Sequence, residues 1–153
     1  MKIIWVIVTL SVFVIGCNNN QQAANKNETH AEEEKHDHDG AGKLELNNGA
    51  RWKADSGTNN NVKGLLVIVD KFNDNSARST DTYHSTAIGL QAGLEKMITE
   101  CKMKGPDHHA LHLWLEPLVT AIAKLKKTVN EQEGSAVLKE IEEHLKLYGQ
   151  YFE

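Results

Sequence analysis

Cys101, Met103, His108 and His112 stand in one short run, Cys101-Lys102-Met103-Lys104-Gly105-Pro106-Asp107-His108-His109-Ala110-Leu111-His112. A thiolate, a thioether and imidazoles are borderline-soft donors. Together they hold copper or zinc in preference to magnesium or calcium, which take oxygen ligands. Gly105-Pro106 interrupts the run. Proline fits the first turn of a helix and cannot continue the preceding one, so the dipeptide predicts a helix end followed at once by a helix start. Cys101 then takes the last core position of the earlier helix and His108 the first of the later one. His112 follows a turn further along nearly the same face. Antiparallel packing of the two helices gathers these three donors at one turn, and Met103 joins them if the first helix frays before Gly105. His109 projects about 100° away and is the poorer ligand.

Each donor also has a plainer use. A free cysteine serves as a small buried hydrophobe, an imidazole near a helix start can satisfy orphan backbone groups, His112 can be a surface residue, and Met103 can fill a gap beneath Trp114 or the segment before the first helix. His84 and His144 bring two further imidazoles to predicted helices. With a methionine they make a noncovalent haem-binding electron carrier an alternative reading of a helical bundle, although no Cys-x-x-Cys-His for covalent attachment is present. No nucleophile stands beside a base and no phosphate loop occurs, so an enzyme is not expected.

Four amphipathic stretches must position these residues. Val62, Leu65, Val69 and Phe72 step by three and four residues, with Ser56 or Thr58 available as the cap. Tyr83, Ala87, Leu90, Leu94, Met97 and Cys101 continue the alternation after the polar Asn73-Asp74-Asn75-Ser76 turn. His108, Leu111, Leu115, Leu118, Ile122, Leu125 and Val129 form the third stripe, in which Pro117 should kink the helix or open a hydrogen bond. Gly134-Ser135 reads as the last turn, before Leu138, Ile141, Leu145, Tyr148 and Phe152. The fold class is all-α, an antiparallel four-helix up-down bundle. Ahead of it, Leu44 and Leu46 alternate with charged neighbours, and Asn48-Gly49 is a tight-turn dipeptide, which predicts a short hairpin or extended segment carrying Trp52. Gly89 and Gly93 make a GxxxG spacing for close helix contact, at a cost of about 1 kcal/mol per glycine relative to alanine.

The rest of the chain concerns delivery. Residues 1–17 combine Lys2, an apolar run from Ile3 to Ile15 too short to span a bilayer, and Gly16-Cys17, the pattern of an export signal. Val14-Ile15-Gly16-Cys17 resembles a bacterial lipobox, which implies cleavage before Cys17 and acylation of that residue by diacylglycerol and a further fatty acid. Several chains anchor firmly, since each buried methylene contributes about 0.8 kcal/mol. The chain has two cysteines; with Cys17 lipidated, Cys101 is the only thiol left and no intrachain disulfide can form. Residues 18–42 hold no aromatic residue and no aliphatic one larger than alanine, the composition of a disordered tether. His30, His36 and His38 stand there among Glu and Asp as a weak metal-binding tail. Residues 43–153 are enough for one folded domain. The formal net charge is −4, one more negative once Lys2 leaves with the leader, which argues against nucleic acid as a partner and suits cations.

The Leu46-Asn47-Asn48-Gly49-Ala50-Arg51-Trp52-Lys53-Ala54-Asp55 and Cys101-x-Met103-Lys104-Gly105-x-x-His108-x-x-Leu111-His112 motifs, with the lipobox and the His-acidic spacer, resemble a group of small envelope lipoproteins of Bacteroidetes-type bacteria. The resemblance covers most of the mature domain and implies a compartment and a helical fold, not an activity. The expected function is binding of a transition metal, copper first and zinc second, for sequestration or delivery at a lipid-anchored site in the cell envelope. Asn18, where some bacteria use aspartate to retain lipoproteins in the inner membrane, favours the outer membrane by analogy. A metal-free module that docks an envelope protein partner through the hairpin and Trp52 or Trp114 is the competing reading.

Overall fold

A computed structural model describes residues 42–153. Its four helices are α1 (Ser56–Asp74), α2 (Thr80–Glu100), α3 (Gly105–Leu125) and α4 (Glu131–Tyr151). Each helix packs on the next, α4 closes the ring on α1, and α2 touches α4 across the centre. This is the four-helix bundle expected from the stripes, with short connections enforcing antiparallel neighbours. The anticipated apolar residues from Val62 to Phe72, from Tyr83 to Met97, from Leu111 to Leu125 and from Leu138 to Phe152 are all buried. None of the four helices is long and apolar enough to cross a membrane.

The helix starts correct the sequence reading in two places. Asp55, rather than Ser56 or Thr58, caps α1: its Oδ1 accepts the Thr58 N–H at 2.6 Å. The last helix begins at Glu131, capped by Asn130, whose Oδ1 accepts the Glu133 N–H at 2.9 Å. Gly134 is therefore not a turn residue. It lies buried inside α4, where a Cβ would come within 2.6 Å of the Tyr83 ring, so glycine is there for close packing. Val129, placed on the third stripe, lies beyond the end of α3 and is 79% exposed. Helix α3 runs unbroken through Pro117, which faces solvent, so the missing N–H falls on the wet side. The GxxxG spacing is used as expected: a Cβ on Gly93 would meet Leu65 Cδ2 at 2.7 Å, bringing α2 onto α1.

The segment before α1 is a turn and a clasp. Asn48 and Gly49 both have positive φ, 51° and 88°, the backbone of a type I′ turn, closed by paired Asn47–Ala50 hydrogen bonds of 2.9 Å. Pairing goes no further along that hairpin. Instead Trp52 N–H donates to Tyr151 O at 2.7 Å, Glu153 N–H to Trp52 O at 3.0 Å and Ala54 N–H to Glu153 O at 2.9 Å, a short parallel contact with the end of α4. Among the described residues these bridges are the only strand-like pairing.

Candidate functional site

The turn between α2 and α3 is held from outside. Asp55 caps α1 with one oxygen and accepts the Lys102 N–H with the other at 2.6 Å. Asp107, in the first turn of α3, accepts the Lys53 N–H at 3.0 Å. The clasp segment thus pins both sides of the 101–104 connection. Partial burial pushes the Asp55 carboxyl up, but the hydrogen bonds from Thr58 and Lys102 and the Lys102 charge outweigh it, and its pKa lies below the usual aspartate value. Gly105 turns the chain into α3 at φ +64°, a conformation that disfavours any residue with a Cβ. Lys104 precedes it without a side-chain cap.

Cys101 ends α2 as its C-cap, with extended backbone (φ −63°, ψ 127°), and its N–H returns to Met97 O at 3.0 Å. It is half-buried against the core, as is Met103. Tyr148 belongs to an aromatic cluster at this end of the bundle: its ring stacks on Phe152 with centroids 4.8 Å apart and meets Trp114 edge-on at 5.0 Å. The hydroxyl donates to Asn59 Oδ1 at 3.0 Å. Desolvation, then the Asp55 and Cys101 charges, push the phenol pKa well above its normal value.

His108 and His112 come together on the flank of α3. Their rings lie edge to face with centroids 4.5 Å apart, His108 half-buried and His112 exposed. One helical turn separates them, the spacing at which two imidazoles on one face can be turned onto a single ion. The sequence reading thus meets the structure in part. The two histidines are adjacent, Cys101 is partly buried against the core, and among the described residues no group of three or more His, Cys, Asp or Glu side chains is placed to hold a metal ion. His109 is exposed. Cys17 and the tail histidines His30, His36 and His38 lie outside the described residues.

The other candidates are committed to the fold. His84 Nε2 donates to Thr128 O at 2.8 Å, bridging α2 to the connection after α3. His144 Nε2 donates to Trp114 O at 2.7 Å and its ring stacks on the Trp114 indole at 5.3 Å. A carbonyl only accepts, so both Nε2 atoms carry protons, and Nδ1 of each neutral ring is the nitrogen that keeps a lone pair. Trp114, considered as a docking residue, is 1% exposed and is the largest fully buried side chain among the described residues. Trp52 is half-buried, its indole N–H given to Glu45 O at 2.7 Å. Sequence reasoning missed the pinning carboxylates Asp55 and Asp107. Asp55 was detectable as a cap residue directly before the first periodic stretch; the reach of Asp107 to Lys53 is tertiary and had no local signal. No protein-family model, no curated protein and no solved structure matches the chain.

Proposed function

We propose that the chain is a lipid-anchored envelope protein, outer membrane before inner, that binds a transition metal through His108 and His112 for sequestration or delivery. Copper is the first choice and zinc the second. The observation that carries this reading is the adjacency of the two imidazoles, 4.5 Å between centroids on one exposed helix flank. Two nitrogen donors suit both ions, and affinity for a given nitrogen site rises to a maximum at Cu²⁺ along the divalent series. A site with two protein ligands leaves positions open to water or to an acceptor's donors, so the ion exchanges readily. That property fits handover better than permanent storage. Cys101 and Met103, seven and five residues before His108, are the soft donors nearest the pair along the chain.

Copper titration of the purified chain, prepared without affinity histidines and with His30, His36 and His38 replaced by alanine, tests the reading. His108→Ala and His112→Ala should each weaken binding at least tenfold. Cys101→Ser should leave Cu²⁺ affinity close to wild type if the imidazoles suffice, and weaken it if the thiol swings out to join them. Unchanged affinity in both histidine variants sinks the proposal.

A further inference from the structure

The flank that carries the histidine pair also carries uncovered aliphatic side chains. His108, His112 and Val119 of α3 and Lys126, its C-cap, follow one another at intervals of four and seven, a single stripe. Lys126 Nζ donates to Gln91 Oε1 at 3.0 Å, which identifies α2 as the neighbour on that side. Ile98 lies two turns beyond Gln91 on the same face of α2. Ile98 is 56% exposed and Val119 44%. A pair of imidazoles and two bare aliphatic groups therefore share the α2–α3 flank.

Two imidazoles supply half of a four-coordinate set, and among the described residues no further His, Cys, Asp or Glu completes it. A second copy related by a two-fold axis through the ion would bring the same pair, each chain providing what the other lacks. Resting on the metal-binding reading above, we propose that the ion is shared. One Cu²⁺ is bound by His108 and His112 of two copies, four nitrogens in all, and Ile98 and Val119 are covered in the contact between them. Four nitrogen donors match the tetragonal preference of Cu²⁺. A common lipid surface raises the effective concentration of one copy near another without any new contact. Occupancy then depends on the density of the protein as well as on copper.

The test uses the full chain in detergent, free of affinity histidines and with the three tail histidines replaced by alanine, titrated with Cu²⁺ alone. Binding should saturate at one ion for every two chains, the protein mass should double with it, electron paramagnetic resonance should report four nitrogen ligands, and chelator should reverse all three. Ile98→Glu and Val119→Lys, both surface changes that spare the histidines, should hold the protein at single mass and shift saturation toward one ion per chain. His112→Ala should abolish the copper-dependent mass change. Wild-type protein binding one ion per chain at single mass overturns the sharing while leaving the metal-binding reading intact. Absence of copper binding overturns both. A mass change that survives in His112→Ala also overturns the shared site.

Discussion

Asp55 is the residue whose loss should tell most about how the candidate site is held. One oxygen caps α1 through Thr58 and the other holds the Lys102 N–H, each at 2.6 Å. Asp55→Ala removes both. Loss of an N-cap costs about 1 kcal/mol. A hydrogen bond to a charged acceptor contributes about 1.5–3 kcal/mol, and the low end applies because water can reach an exposed residue such as Lys102. Asp55→Ala should therefore destabilise the domain by about 2–3 kcal/mol. Asp55→Asn separates the contributions, since an amide oxygen still caps the helix while its NH₂ cannot accept from Lys102. It should cost about 1–2 kcal/mol. Urea unfolding followed by far-ultraviolet circular dichroism measures both. The folded-state pKa of Asp55 is depressed, so its stabilisation is present above the unfolded value of about 3.9 and disappears as pH falls through the folded one. The gap between wild type and Asp55→Asn should accordingly close below about pH 4. Asp55→Asn matching wild type at neutral pH would refute the Lys102 tie, and Asp55→Ala matching Asp55→Asn would refute the cap.

Gly134→Ala should destabilise by about 1–2 kcal/mol despite alanine's higher helix propensity, because its methyl meets the Tyr83 ring at 2.6 Å. Gly64→Ala, where a Cβ meets nothing within 4 Å, should stabilise by about 0.5–1 kcal/mol in the same denaturation assay. Gly105→Ala should cost about 1–2 kcal/mol through backbone strain at φ +64° alone, with Gly105→Asn costing less, and thermal unfolding of the pair checks this. Tyr148→Phe should cost about 1 kcal/mol at neutral pH by losing the bond to Asn59. Because the folded phenol's pKa is raised, wild type should lose stability as pH climbs above about 10, where the unfolded phenol ionises, and Tyr148→Phe should lack that share of the loss.

The bundle was legible because burial follows the 3.6-residue period wherever the chain is helical. Leu65, Leu90, Leu118 and Ile141, all anticipated, are wholly excluded from water. What the period underestimates is the width of the buried face. Ala110, Trp114 and Ala121 lie beside the main stripe of α3 and are just as buried, since α3 packs against both α2 and α4 and a helix with two neighbours buries a broad arc. Trp114 went to the core for that reason. At the helix ends the period stops governing at all. Val129 was read by extrapolation past Leu125, and Gly134 as a breaker, although its role is set by Tyr83 on another helix.

The candidate donors divide in legibility for the same physical reason. His108 and His112 lie on one continuous helix, where spacing alone fixes their relation, and they meet as anticipated. Cys101 and Met103 lie at and beyond a helix end, where backbone direction is chosen by the Asp55–Lys102 bond and the Gly105 turn rather than by periodicity. Their heading was not deducible locally. On the metal-binding proposal, the nitrogen pair belongs to a helix, whereas Cys101 and Met103 sit at and beyond a helix end, in the connection before α3. Asp55→Asn, which frees the Lys102 N–H while keeping the cap, should loosen that connection. If the thiol is a latent ligand, this variant should gain affinity for Cu⁺, the ion for which soft sulfur matters most, while its Cu²⁺ affinity stays level. A parallel loss for both ions would mean that the clasp positions the histidines as well, and that the two halves of the turn act as one unit.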